Sequence, residues 1–353
     1  MELLSVTINE GVKKRMDIDG KDTSSEDKSN YKIVHTGDMV YNSMRMWQGA
    51  NGISDYDGIV SPAYTVLKSK GNIHNQYIGF LFKNSELINK FRKNSQGLTS
   101  DTWNLKYPQI ACIKINIPSL DEQQKIADFL SLVDQRIEKQ RQLVESLKKY
   151  KRGTFQHIYR NKSINWEKKI VNDFSPVHGG YAFDSKCYNE KGSFNIITIG
   201  NVTGKRYISM DCNRIKDIPL DLQEHQYLKN GDIVISMTGN VGRVSLVNAD
   251  NCLLNQRVAK IVIKDDYLKE YIYQVLASSD FEQEMNNKGQ GAAQKNIKNS
   301  DIENFIFYIP EDQNKIKEIS KVLHCLDTLI EKRDNILSAL ISTKNGLLQQ
   351  MFI

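Results

Sequence analysis

The sequence predicts an α+β fold: two pseudo-repeated mixed α/β domains joined by two long helices packed as an antiparallel coiled coil. Three observations predict it. Large blocks of the 353-residue chain recur at a displacement of about 193 residues. Each copy ends in a proline-free stretch whose aliphatic residues alternate steps of four and three, the seam spacing of a coiled coil. Ahead of each stretch, short apolar runs punctuated by glycine alternate with segments of helical periodicity, the mixture expected of an α+β domain. The boundaries follow as a first domain at 1–120, a first helix at 121–160, a second domain at 161–312 and a second helix at 313–353.

The repeat is legible along most of the chain. "TGDMVYNSM" (Thr36–Met44) matches "NGDIVISMT" (Asn230–Thr238), "QYIGFLFKNS" matches "EYIYQVLASS" at Glu270, Gly97 meets Gly291, and "IKINIP" ending at Pro118 meets "FIFYIP" ending at Pro310. The runs "DIVISM", "RVSLV" and "VAKIVI" read as strands, separated by turns at Gly231, Gly239 and Gly242. The copies are unequal. About thirty residues before Ile196, "NWEKKIVNDFSPVHGGYAFDSKCYNEKGSFN", have no counterpart ahead of Met1. The first domain is therefore expected to be N-terminally shortened, with a strand and turn lost or supplied by another segment.

The helices carry the sharpest pattern. In the first, Ile126, Leu130, Val133, Ile137, Val144 and Leu147 form a seam interrupted by Gln140 and Lys151. In the second, Ile319, Leu323, Leu326, Ile330, Leu337 and Leu340 form its echo, interrupted by Arg333 and Lys344 at the equivalent positions. Seams so matched pack most simply on each other, and since the intervening domain brings the chain back, the pairing is expected to be antiparallel. At about 1.5 Å per residue each helix could run roughly 55 Å. The plainer alternative is two surface helices, each packed on its own domain.

Composition sets bounds rather than a function. At 40% apolar and 25% charged residues the chain can bury real cores. A net charge of +6 permits an acidic partner without demanding one. Cys112, Cys187, Cys212, Cys252 and Cys325 are scattered, without the spacing of a zinc site or a disulfide framework. No signal peptide or membrane-spanning run is present, so a cytoplasmic location is expected. There is no GxxxxGK[ST], HExxH or GxSxG segment, the six histidines show no ligand spacing, and no methyl-donor loop is evident. No catalytic residues and no metal site are assigned.

The chemistry lies instead in polar, glycine-containing loops. Asn and Gln can pair with the edge of adenine and Lys or Arg with that of guanine, while phosphate contacts ask only for reach and charge. The DNA-binding candidates are Arg45, Gln48 and Asn51 in "RMWQGANG", then Lys93 and Gln96 around "KNSQG". In the second copy they are Thr238, Asn240 and Arg243 in "TGNVGR", with Lys288, Gln290, Gln294, Lys295 and Asn296 in "KGQGAAQKN". Such loops are also common as solvated turns.

Taken in order, these segments resemble the specificity subunits of type I restriction-modification enzymes over essentially the whole chain. "IPSLDEQQKIADFLSLVDQRIEK" resembles that family's helix start, "NWEKKIVNDF" followed by "GGYAF" the opening of a target-recognition domain, and "GDIVISMTGNVG" its strand-turn core. "GQGAAQKNIKNSDIENFIFYIP" resembles the exit into the next helix. Two departures stand out: Lys315 and Ile316 occupy the places of Glu122 and Gln123, and the first domain lacks the "W…G…F" opening. The resemblance implies two target-recognition domains that read the halves of a bipartite site in double-stranded DNA, with the helices fixing the gap. Half-sites on one face of DNA recur about every 34–36 Å, within the helices' reach. It further implies two methyltransferase (M) subunits and restriction (R) subunits as partners, no membrane, and S-adenosylmethionine, ATP and Mg only on those partners. Stand-alone tandem DNA-binding and coiled-coil adaptor roles are the alternatives.

Overall fold

The computed structural model of the chain describes every residue except 9, 21, 23, 70, 100, 101, 290–294 and 353. The chain divides into two compact units, Met1–Gln142 with Asp334–Ile353, and Leu143–Arg333. Each unit thus holds one mixed domain together with a segment of each long helix.

The first unit contains β1 (Leu4–Thr7), β2 (Gly11–Lys14), β3 (Lys32–Val34), β4 (Met39–Asn42), β5 (Asn51–Ile53), β6 (Gly58–Val60) and β7 (Tyr64–Leu67). They pair antiparallel as β1-β2, β3-β6 and β5-β4-β7. Helices α1 (Asn75–Leu81), α2 (Ser85–Asn94) and α3 (Tyr107–Ala111) follow, and then α4 (Leu120–Tyr159) begins. The Asn84 side chain starts α2 by accepting from the amides of Glu86 and Leu87, satisfying donors that a helix start would otherwise leave unpaired.

The second unit contains β8 (Trp166–Ile170), β9 (Val177–Gly179), β10 (Phe194–Ile197), β11 (Asn213–Ile215), β12 (Tyr227–Leu228), β13 (Ile233–Ser236), β14 (Val244–Leu246), β15 (Cys252–Leu254) and β16 (Val258–Ile261). Then come α5 (Asp266–Leu276), α6 (Ser279–Lys288), α7 (Asn299–Glu303), β17 (Ile306–Pro310) and the start of α8 (Gln313–Gln350). The sheets are ordered β14-β13-β16-β9, β11-β10-β15-β12 and β17-β8. All four residues of β13 are buried, as befits an apolar strand paired on both edges and covered on both faces.

The duplication is topological as well as textual. β13 stands where β4 stands, and each pairs antiparallel with the next strand and with the third strand of its sheet, β14 and β16 against β5 and β7. The β12-β15 pair repeats β3-β6. Among the described residues of the first unit there is no equivalent strand for β8 and β9, both from the stretch that precedes the repeat, or for β17.

Within each unit the two long helices run antiparallel. In the first unit Asp134 meets Lys344 at 2.5 Å, and Leu130 clusters with Leu348 and Phe80. In the second, Lys151 donates to Asp327 at 2.6 Å, while Phe155, Ile158 and Tyr159 join Ile316, Ile319 and Leu323 in the core. The two ion pairs are copies of one another, since a displacement of 193 carries Asp134 to Asp327 and Lys151 to Lys344. Two of the seam's polar interruptions, Lys151 and Lys344, are thus paired across the helices. All twelve predicted seam positions are buried or half-buried, whereas Phe129, Leu132, Leu143, Val322, Leu329 and Ile336 on the same helices are exposed.

The two helix starts differ for a visible reason. Gln123 is fully buried, accepts from the His74 amide at 2.9 Å and donates to the carbonyls of Asn72 and Pro118. Its repeat partner, Ile316, is instead an apolar member of the second core. Glu122 and Ser119 close a capping box at α4, while Asp312 caps α8 through the Asn314 amide.

Lys83 gives a titration specific to the first unit. Its ammonium donates to the carbonyls of Ile8 (2.8 Å) and Gly49 (2.6 Å). Burial, with the nearby positive charge of Lys344, pulls its pKa down to about 8. A lysine with a depressed folded value burdens the native state while charged, and the burden lifts as pH rises from about 8 toward the unfolded value of 10.5. Between those limits the native chain is expected to gain up to about 3 kcal/mol relative to a Lys83→Met variant. Urea unfolding of both proteins at pH 7.5 and pH 10 checks this, and a constant difference would contradict it.

Candidate nucleic-acid interface

Among the described residues, the predicted contacts centre in each unit on the turn after the central strand. In the second unit this turn joins β13 to β14. It is tightened by Ser236, whose hydroxyl donates to the Asn240 carbonyl and accepts from the Arg243 amide. Gly242 sits at φ +78° against Met285 of α6, where a Cβ would come within 2.7 Å of that side chain. Glycine here lets the turn lie directly on the helix.

The segment after α6 is stitched to the same turn. The Gly239 amide donates to the Lys295 carbonyl at 2.9 Å, the Ile297 amide donates to the Met237 carbonyl at 3.0 Å, and Thr238 Oγ1 donates to Asn296 Oδ1 at 3.2 Å. Lys295 Nζ donates to Asn286 Oδ1 at 2.9 Å. Thr238, Asn240, Lys295 and Asn296 are therefore brought together, with Asn240, Lys295 and Asn296 exposed and Thr238 half-buried. Arg243 is half-buried beside Gly204. Lys288 is exposed but engaged with Glu284 at 3.2 Å. Gln290 and Gln294 lie outside the described residues.

The first unit builds its version on the β4–β5 turn. Arg45 is exposed and donates to Gln48 Oε1 at 3.2 Å. Lys93 is exposed on α2, and Gln96, paired with Asn104 through the backbone, accepts from Gln109 at 3.4 Å. Asn51 is a correction: it is fully buried, and its amide nitrogen donates to the carbonyls of Gly49 and Phe82, each at 3.2 Å, and to Met46 Sδ. It locks the turn onto the end of α1, and its side chain presents nothing to a ligand.

The structure adds a cluster that the loop reading passes over. Trp47 and Trp103 meet edge to face at 5.1 Å, and the Arg92 guanidinium lies 5.6 Å from the Trp103 ring. Both indoles are half-buried and Arg92 is exposed. A guanidinium held over an aromatic ring loses little freedom on meeting an anion and keeps its hydrogen-bonding fork available. The available signal was that two of the three tryptophans fall inside the two polar loops, "RMWQGANG" and "NSQGLTSDTWNL".

Each unit therefore presents a rigid turn, an adjoining helix end and a return segment carrying amide, hydroxyl and cationic groups. Among the described residues no proton-transfer pair or nucleophile is organised there. Among the described residues no group of three or more His, Cys, Asp or Glu side chains could hold a metal ion, and no helix is long and apolar enough to cross a membrane.

A family model described as the type I restriction modification DNA specificity domain matches residues 11–149 and again residues 163–340. The chain belongs to that family. The two matched spans coincide with the two halves of the repeat. The chain is 25% identical over 324 residues to the type I restriction enzyme MjaVIII specificity subunit of Methanocaldococcus jannaschii, covering 85% of this chain and 74% of that one. A shorter match, 23% identical over 130 residues, is to the HindI specificity subunit of Haemophilus influenzae, covering 35% of this chain and 28% of that one. Among solved structures, the type I S subunit from M. genitalium superposes with a TM-score of 0.58 at 13% identity, over 91% of this chain and 84% of that one. A chain from a study of complex assembly and conformational transition in a type I system gives 0.56 at 14% identity, over 93% and 84%. At these identities the superpositions speak for the fold.

Proposed function

We propose that this specificity-family chain is a non-catalytic reader of double-stranded DNA, each unit reading one half of a bipartite, asymmetric site through its turn surface. The observation that carries this reading is the double construction. A strand-end turn, a helix end and a stitched return segment occur at equivalent places in both units, with different side chains: Arg45, Gln48, Arg92 and Trp103 in one, Thr238, Asn240, Arg243 and Lys295 in the other. Equal scaffolds with unequal tips suit the reading of two unlike sequences.

The catalytic work, with S-adenosylmethionine, ATP and Mg, falls to methyltransferase subunits, two per chain, and to restriction subunits. The exposed apolar residues of the helices support such docking: Phe129 and Ile336 in the first unit, Leu143 and Leu329 in the second. They recur at heptad spacing beside a seam that is already covered, which a soluble monomer has little reason to display. The measurement is selection of random duplex DNA by the full chain with a type I methyltransferase subunit, followed by sequencing. The expected product is an asymmetric motif of two short halves at a fixed gap. A single half, or no enrichment, would refute the two-reader assignment.

A further inference from the structure

Beside the β13–β14 turn, the second unit carries another polar tip, at the turn that joins β15 to β16. Asn255 shapes it. This residue is buried, its Oδ1 accepts from the Arg257 amide at 3.2 Å, and its carbonyl accepts from the Val258 amide at 2.9 Å. An asparagine bonded to the backbone two residues on is a built-in turn. Gln256 and Arg257 are left at the tip, both exposed. Among the described residues, neither side chain takes part in a hydrogen bond or an ion pair.

The tip is fixed to the turn surface already described. Ser236 and Val258 are partners in the β13–β16 ladder. The pairing runs one step further, with the Met237 amide donating to the Arg257 carbonyl at 3.0 Å. Met237 and Thr238 are therefore flanked by Arg257 on one side and by Asn296 and Ile297 on the other. The "GGYAF" segment braces the same turn. The Gln256 amide donates to the Tyr181 carbonyl at 2.9 Å, and the Tyr181 amide donates to the Leu254 carbonyl at 2.8 Å. A Cβ on Gly180 would fall 2.2 Å from the Asn255 carbonyl oxygen. Only glycine allows that approach, and the backbone that carries Gln256 and Arg257 is thereby held from both sides.

The first unit builds the same turn and leaves its tip blank. A displacement of 194 carries Ser61, Pro62 and Ala63 onto Asn255, Gln256 and Arg257. Ser61 Oγ accepts from the Ala63 amide at 3.4 Å, and the Ser61 carbonyl accepts from the Tyr64 amide at 2.9 Å. The Ala63 carbonyl accepts from the Ser43 amide at 3.1 Å, as the Arg257 carbonyl accepts from Met237. Pro62 and Ala63 offer no side-chain donor, acceptor or charge. The turn thus forms without polar side chains at its tip, and the amide and guanidinium of the second unit are not demanded by the fold.

We propose that Gln256 and Arg257 are further specificity-determining residues of the second unit, Gln256 pairing with the edge of an adenine and Arg257 with that of a guanine at neighbouring base pairs. This assignment rests on the reading of each unit as a reader of DNA. A carboxamide can pair bidentately with adenine N6 and N7, and a guanidinium with guanine O6 and N7. A braced tip gives up less conformational freedom on binding than a loose loop would. With proline and alanine at the same place, the first unit has no such contact, and the two halves of the site are read unequally.

The test is selection of random duplex DNA by the full chain with a type I methyltransferase subunit, comparing the wild type with the double variant Gln256→Ala, Arg257→Ala. Both side chains are exposed, and alanine already stands at the second place in the first unit, so thermal unfolding should be unchanged. The double variant is expected to lose preference at adjacent positions in one half of the motif. It should bind the wild-type motif roughly ten- to a hundredfold more weakly. Arg257→Lys keeps the charge without the planar fork, so it should keep the salt dependence and lose the guanine preference. Pro62→Ala in the first unit should alter neither half. A wild-type motif that the double variant selects unchanged would overturn the assignment of this pair and leave the two-reader reading standing. Equal weakening on all sequences with a shallower salt slope would overturn it as well, because the tip would then grip phosphate. A wild type that enriches no motif would sink both the pair and the reading beneath it.

Discussion

Replacing Arg206 by methionine is expected to cost the second unit about 3–5 kcal/mol, the penalty of leaving buried carboxylates without their cation. The Arg206 guanidinium grips Glu270 with both terminal nitrogens, at 2.9 and 2.6 Å, and reaches Asp327 of α8 at 3.4 Å. Gln274 donates to both carboxylates, at 2.8 and 2.6 Å, and Lys151 of α4 completes the set at Asp327. The rings of Tyr273 and Tyr207 face the guanidinium at 5.0 and 5.5 Å. One network thus ties α5 to both long helices inside the unit. Burial by itself would raise the Glu270 pKa, but the hydrogen bonds from Arg206 and Gln274 outweigh it and hold the carboxyl below its ordinary 4.5.

The sign of the pH dependence follows. Stability from a depressed carboxylate is present above the unfolded pKa and is lost as pH falls through the folded one. The wild-type advantage over Arg206→Met should therefore hold at neutral pH and shrink on acidification below about 4.5. Urea unfolding followed by intrinsic fluorescence measures both effects. A triple variant, Arg206→Met with Glu270→Gln and Asp327→Asn, should recover most of the loss, since no buried charge is then left unpaired except Lys151. A single-variant loss under about 1 kcal/mol would mean that water reaches the carboxylates and that the network is not holding the helices.

The first unit shows how such a network contracts under duplication. The helix ion pair survives as Lys344 with Asp134, but Phe80 stands where Gln274 stands, and the Lys344 ammonium lies 5.6 Å from its ring. Gln76 replaces Glu270. With one carboxylate fewer, a lysine and an aromatic face suffice, and no arginine is required. Burial, and then the positive charge of Lys344, depress the pKa of Lys83 in this unit.

These details mark where the sequence was readable. The helix seams were plain because the heptad is a long-range regularity, in which Leu130 and Leu323 repeat the same constraint in two places. The strands around Ile233–Ser236 were plain because an apolar run bounded by glycines has few other uses. Asn51 was misplaced because composition does not encode which way a turn's side chain points, and its three donor contacts come from partners up to 31 residues away. The Trp47–Trp103–Arg92 cluster joins segments that the sequence keeps apart, so only the rarity of tryptophan hinted at it. The Arg206 network escaped entirely, since its members span three helices and a loop and share no motif.

Removing the cations of one turn surface should impair one half of DNA recognition and leave the other intact. In the second unit the informative double variant is Arg243→Ala with Lys295→Ala. If each side chain contributes about 1–3 kcal/mol through base or charge-assisted contacts, the pair should weaken specific binding by roughly 100-fold, at 1.4 kcal/mol per factor of ten. In the first unit the matching change is Arg45→Ala with Arg92→Ala, which also strips the guanidinium from the Trp103 face. Lys288→Ala is the control, because its ammonium is already engaged with Glu284 and little should change. Titration of labelled duplexes at several salt concentrations separates the two kinds of contact. Loss of phosphate contacts lowers the slope of log affinity against log salt by about 0.9 per contact and acts on all sequences alike. Loss of base contacts leaves that slope nearly unchanged and relaxes sequence preference at particular positions. The decisive outcome is in the selected DNA: each double variant should blur its own half of the motif only. Blurring of both halves by either variant would mean that the two turn surfaces do not read separate sequences.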